Sequence, residues 1–170
     1  MQFSVAENER NLAKNPHELF ILNLIAFHLL LAPAAIALGI GAWALLLPVM
    51  FSGAVMTYIL VRTRRATRED PWFVMAHWQV ALRRCRLLLI GYGISGGILT
   101  LAWLLGMAMQ PNMRDIMFTA LTRIGVMPTI ILVFVAFVLE SNALFQAARG
   151  EVPDAVVAKH PAPEGLAAAG

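Results

Sequence analysis

The chain has 170 residues, of which 59% are hydrophobic and 14% charged, and its formal net charge is +3. Soluble domains are typically about 25% charged, so this composition argues against an ordinary soluble domain and for a chain held mostly in lipid. A lone cysteine, Cys85, excludes an internal disulfide and supplies no second thiol for a metal site.

Residues 1–15 read as a polar, irregular N-terminal segment. Asn15-Pro16-His17-Glu18 predicts a helix start, with Asn15 as cap, Pro16 in the first turn and Glu18 as capping-box partner. The first apolar stretch, Leu19 to Ala37, follows. Ala35-Ile36-Ala37 resembles a signal cleavage site, but Glu7, Glu9 and Glu18 offset Arg10 and Lys14, which is not the basic start such signals need. An uncleaved first helix over 16–37 is expected, followed by a tight turn at Gly39 and Gly41.

Three more apolar stretches follow: Ala42 to Val61, Leu87 to Met109 and Ile124 to Leu139. A bilayer core of ~30 Å needs about 20 apolar helical residues to span it. The expected fold is therefore an all-α integral membrane protein with four transmembrane helices over 16–37, 42–61, 87–109 and 124–148. A basic loop over 62–86 separates the second and third. Met113 to Ile124 shows its own apolar stripe and predicts a short interfacial helix, with Gly125 and Pro128 bending into the fourth crossing. Residues 149–170, rich in Ala and Pro, predict a flexible tail.

Seven arginines lie in the basic loop: Arg62, Arg64, Arg65, Arg68, Arg83, Arg84 and Arg86. Glu69 and Asp70 oppose them there, leaving +5. Lys and Arg accumulate on the cytoplasmic side of membrane helices, so the loop and both termini are expected in the cytoplasm. Asp70-Pro71 signals another helix start. Val74, Met75, Trp78, Ala81, Leu82 and Cys85 share one face of it, which predicts a cytoplasmic amphipathic helix. Trp72 and Trp78 beside arginines predict contact with the membrane surface and with anionic lipids. The arginines are read as topology and headgroup contacts, with no nucleic-acid module in view. Eleven Arg against two Lys, with abundant Ala and Leu, suggests a GC-rich bacterial genome and hence a bacterial inner membrane.

Few residues invite chemistry. Gly91-Tyr92-Gly93-Ile94-Ser95-Gly96-Gly97 contains GxGxxG, yet it sits inside an apolar helix without the preceding strand that a dinucleotide site requires. Gly93 and Gly97, with Ser95, read instead as a helix-packing ridge facing either a neighbouring helix or another protein. Asn23 reads as polar glue between helices. His28, mid-way along the first crossing, is a default functional candidate. It reads first as a neutral imidazole hydrogen-bonded across helices, with binding of haem b, or a proton or quinone role, as the alternatives, and no second histidine matches its depth. Taking 3.6 residues per turn, Asn23 and His28 point ~140° apart. Arg123 and Glu140 bracket the fourth crossing as snorkelling or capping charges, with an ion or proton site at Glu140 as the alternative.

No catalytic or metal-ligating constellation is visible. The expected function is a non-catalytic accessory, assembly or scaffold subunit of a larger inner-membrane complex. Its partners would be other membrane subunits or copies of itself. The alternatives are a haem- or quinone-associated anchor of a respiratory enzyme and a small oligomeric transporter or channel.

Overall fold

The computed structural model describes residues 1–38 and 45–166. The turn predicted at Gly39 and Gly41, and the start of the second crossing, lie outside the described residues. Helix α1 (Glu7–Asn23) runs into a π-helical stretch (Leu24–Leu31) and a short α2 (Ala32–Ala37). Then come α3 (Leu46–Glu69), α4 (Trp72–Met107), α5 (Pro111–Arg149) and the one-turn α6 (Asp154–Val157). Among the described residues there is no strand, only an isolated antiparallel bridge between Gln2 and Glu151. Four helical runs are long and apolar enough to cross a membrane: Glu7–Ala35, Leu46–Glu69, Trp72–Met107 and Pro111–Arg149.

Helix α1 begins nine residues before the predicted start at Pro16, which lies inside it. Ala6 is extended and ends the N-terminal arm, and Glu7 and Glu9 suit the positive end of the helix dipole. Ala13, Pro16, His17, Phe20 and Leu24 then recur at helical spacing, and all are buried. That buried stripe outweighs the one hydrogen bond that Pro16 cannot donate. Asn15 is exposed in mid-helix and caps nothing.

Helix α3 stops because Pro71 disfavours helical backbone at the preceding residue. Asp70 is extended (φ −98°, ψ 156°), and its carboxylate pairs with Arg62 at 2.7 Å. Helix α5 is continuous from Pro111 to Arg149, with Pro128 inside it. The segment from Met113 to Ile124 is therefore part of α5 and not the separate interfacial helix expected.

The chain divides into two compact units, Met1–Cys85 with Phe137–Gly170, and Arg86–Ala136. The core of the first unit packs Phe3 and Val5 of the arm against Ala13, Phe73, Ala76, Val80, Ala143, Ala147, Val152 and Val156. Four of these ten are alanines, which lets helix backbones approach closely. The predicted flexible tail is docked from Gly150 through His160. Gly150 (φ +75°) ends α5 with paired bonds, Gly150 N–H to the Ala147 carbonyl and Glu151 N–H to the Gln146 carbonyl. This is a Schellman termination. The chain then doubles back: Phe3 N–H donates to the Gly150 carbonyl at 2.8 Å, and Val152 N–H to the Met1 carbonyl at 2.9 Å. Trp72 Nε1–H donates to the His160 carbonyl, and the Trp72 ring stands edge-on to Phe3 at 4.9 Å.

The second unit is an antiparallel pairing of the α4 and α5 segments. Cβ atoms placed on Gly91 and Gly125 would lie 3.2 Å from Thr129 Cα and 3.1 Å from Ile98 Cγ2 respectively. The Ser95 and Thr129 hydroxyls share a 2.8 Å hydrogen bond in the same interface.

If residues 150–157 are a structural part of the fold, Val156→Asp should undock them. A buried valine replaced by a charge costs several kcal/mol. A lower unfolding midpoint and a change in tryptophan emission at Trp72, measured in detergent, are the expected results. An unchanged midpoint would mean that the segment contributes nothing.

Candidate functional site

Three side chains with no solvent exposure meet inside the first unit: His17 from α1, His77 from α4 and Glu140 from α5. His17 Nδ1 lies 2.6 Å from Glu140 Oε2, and His17 Nε2 lies 2.9 Å from His77 Nδ1. The two rings stand edge to face at 5.1 Å, and Phe73, one turn before His77, packs edge-on to it at 4.8 Å. His17 is thus the middle member of a carboxylate–imidazole–imidazole chain.

Each helix delivers its member by ordinary periodicity. Ala13 and Phe20 flank His17 on the buried stripe of α1. Residues 73 to 78 of α4 are buried on every side, which carries His77 inward with Phe73 and Val80. Val133, Ala136, Glu140, Ala143 and Ala147 mark the buried face of α5, so Glu140 occupies a position otherwise held by apolar residues.

The 2.9 Å separation between the histidines identifies the contact. Zinc–nitrogen bonds are about 2.0–2.1 Å, and two nitrogens on one tetrahedral ion would lie more than ~3 Å apart. The histidines therefore share a proton directly. Among the described residues, no group of three or more His, Cys, Asp or Glu side chains is arranged to hold a metal ion. An ionised carboxylate only accepts hydrogen bonds, so with Glu140 charged, His17 Nδ1–H is the donor. Glu140 Oε1 and His77 Nε2, the two ends of the chain, are buried and make no hydrogen bond of standard geometry. The Cys85 thiol is buried within reach of the Glu140 field.

The residues singled out from the sequence are placed differently. Glu140 does not snorkel or cap, because it is fully buried and bonded to His17, whereas Arg123 is exposed. Gly93 and Gly97 are exposed, and a Cβ at either would meet nothing within 4 Å. The intramolecular close approaches fall instead on Gly91 and Gly125, while Ser95 does pack, through its bond to Thr129. Asn23 is buried, but its amide bonds to no other side chain among the described residues. His28 is half-buried within the π-helical stretch. A π-helix pairs residues five apart, so the ~140° separation expected for Asn23 and His28 in an α-helix does not hold. The His28 ring engages the Asn23 main chain.

The amphipathic helix expected to lie on the membrane is the N-terminal part of α4, and it is core. Trp78 is buried beneath the Arg62 guanidinium, 5.2 Å from its ring centroid, and Trp72 is committed to Phe3 and His160. Arg83 donates to the Ala155 carbonyl at 3.0 Å, and Arg84 is half-buried. Arg64, Arg65, Arg68 and Arg86 remain exposed.

His17 and His77 did not stand out in the sequence. Their signal was present in the spacing: His17 falls four residues after Ala13 and three before Phe20, and His77 four after Phe73 and three before Val80. Taking Pro16 as a helix start concealed the first pattern.

No protein-family model, curated protein or solved structure matches this chain.

Removing one member of a buried hydrogen-bonded pair leaves the other unsatisfied, at a cost of about 1–3 kcal/mol and more for a charged group. His17→Ala should therefore destabilise the chain strongly. Glu140→Gln, which keeps a polar partner for His17 and removes the charge, should cost distinctly less. Unfolding midpoints in detergent check this, and equal midpoints for both variants and the parent would contradict the pairing.

Proposed function

We propose that this chain is a non-catalytic accessory or assembly subunit of a larger membrane-protein complex, recognising partner helices through the glycine face of α4. The supporting observation is that Gly93 and Gly97 are exposed, with nothing within 4 Å of a Cβ at either. Small residues four apart permit close helix–helix approach. No described residue of this chain uses that approach, so it is open to a partner helix or to a second copy. Leu89, Ile90, Ile94 and Leu101 are exposed on the same helix, as suits a surface seen by lipid or by another membrane helix.

In this reading the arginine-rich side faces the cytoplasm of a bacterial inner membrane. Arg64, Arg65, Arg68 and Arg86 are exposed and free to meet anionic headgroups, each contributing about 1 kcal/mol near such a surface.

The test is a comparison of glycines. Gly93→Leu with Gly97→Leu should leave membrane insertion and the unfolding midpoint intact while shifting the protein out of its native-gel complex. Gly91→Leu should instead damage the fold, because its new side chain would run into Thr129. A complex of unchanged size in the Gly93/Gly97 double variant would refute the reading. Mass spectrometry of the native band separates unrelated partners from copies of this chain.

A second reading, a haem- or quinone-associated anchor, draws on the place of His28 within the π-helical stretch, since π-turns occur frequently at functional sites. A haem absorbance band lost in His28→Ala would favour it. Colourless protein from haem-replete cells would remove its haem form.

A further inference from the structure

The subunit reading makes no use of the His17–His77–Glu140 chain, and the two stand independently. Three titratable groups without solvent exposure are an expensive way to fill a core that apolar residues would fill at least as stably. Their arrangement is also directional. At one end, Glu140 offers a carboxylate directly bonded to His17. At the other, His77 Nε2 points outward from the chain and the next group along is the Glu151 main chain. The Glu151 N–H is committed to the Gln146 carbonyl, so its carbonyl oxygen is what remains for an imidazole N–H. Glu151 also lines a polar surface cavity of about 460 Å³, together with Gln2, Gln146 and Asp154.

We propose that His77, His17 and Glu140 form a proton-loading chain whose outer end is His77 Nε2, beside the Glu151 main chain. The chain has two proton states that keep both hydrogen bonds. In the unloaded state, His77 Nδ1–H donates to His17 Nε2, His17 Nδ1–H donates to the Glu140 carboxylate, and the net charge is −1. A proton then arrives at His77 Nε2. As that N–H bond forms, the His77 Nδ1–H bond breaks and its proton passes to His17 Nε2. His77 ends neutral with its N–H on Nε2, facing the Glu151 carbonyl. His17 ends as an imidazolium paired with the Glu140 carboxylate, and the net charge is zero. One proton has been bound and its charge has moved one member inward, from His77 to His17, with no heavy atom displaced.

Other ionisable groups lie on the elements around the three members, including Arg149 at the end of α5 and the half-buried Glu151 after it. On α1, Lys14 bonds to Asn11 and Glu18 is exposed, while the Arg10 guanidinium lies beside Gly150. On α3, Arg62 is paired with Asp70, and on α4, Arg83 is bonded to Ala155. Cys85 also lies within the Glu140 field.

The test uses the full chain in lipid nanodiscs with nitrogen-15-labelled histidine, titrated by NMR from about pH 9 to about pH 4.5, which spans the histidine range. The expected result is a single shared step. In it, the His77 proton moves from Nδ1 to Nε2 as His17 becomes doubly protonated, with one proton taken up per chain. In Glu140→Gln the imidazolium loses its counter-charge, so the step should move to lower pH or vanish. Fixed tautomers across the range in the folded parent protein would overturn the proposal and leave a purely structural network. Two unlinked histidine titrations would overturn it equally. Both outcomes are read from the parent chain, so a variant that fails to fold does not blunt the test.

Discussion

The constraint on which the first unit depends is that Glu140, with no access to water, must be answered by His17. A carboxylate transferred alone to a low-dielectric interior carries a penalty that no amount of neighbouring apolar packing offsets. The 2.6 Å contact meets that need, and it does so from α1, more than 120 residues away in sequence. His77 then has to meet the far side of His17. Three helices are thereby fixed in register by two hydrogen bonds. Apolar packing alone would tolerate sliding among the alanine-rich faces of Ala13, Ala76, Ala143 and Ala147. The polar chain specifies one register from the many that a smooth interface would allow.

The main-chain closure around this chain follows the same logic. Water near Glu140 or His77 would weaken their interaction by raising the local dielectric. The N-terminal arm and the residues after α5 cover that end with Phe3, Val5, Val152 and Val156. Gly150 makes the reversal possible, because a Cβ there would lie 2.7 Å from the Phe3 carbonyl oxygen, in a backbone conformation that L residues seldom adopt. What reads as a low-complexity tail is thus tied to the burial of three titratable side chains. Glu151, the residue after that glycine, belongs both to the cover and to the rim of a polar cavity.

The four long apolar helices were legible because hydropathy over some 20 residues is a local sum that needs no tertiary knowledge. The helix start at α1 was not, because Pro16 is as compatible with a first turn as with a tolerated interior break, and only the buried stripe through Ala13 decides between them. Packing at Ser95 was expected, but on the face of Gly93 and Gly97, whereas residues two apart on a helix point away from each other, and its partner, Thr129, depended on the α4–α5 register. The buried chain was hidden for a deeper reason. His17, His77 and Glu140 are separated by 60 and 63 residues, and each alone resembles an interfacial polar group. Depth assigned from the ends of apolar stretches places His17 and Glu140 at the ends of crossings and His77 outside them. Burial by protein rather than by lipid is a property of neighbours, and a single sequence does not contain it.

That distinction also separates the two parts of α4. Residues 73 to 78 are enclosed by their own unit, and the helix carries two tryptophans there that look like membrane anchors. Farther along, Leu89, Ile90, Ile94, Leu101 and Leu104 are exposed. Hydropathy scores both parts as apolar, yet one is a protein interior and the other an outward surface. The outward part is the one interrupted by Gly93 and Gly97. A glycine on a helix surface removes side-chain volume and leaves a shallow groove, in which the main chain itself becomes the contact surface. Acyl chains fill such a groove poorly compared with a partner helix that presents a matching ridge, because dispersion gains depend on close and sustained contact. With the hydrophobic effect absent between helices already in lipid, shape of this kind is among the few driving forces for association that remain. The same helix thus turns His77 inward, where it fixes a register, and Gly93 and Gly97 outward, where they remove side-chain volume from its surface.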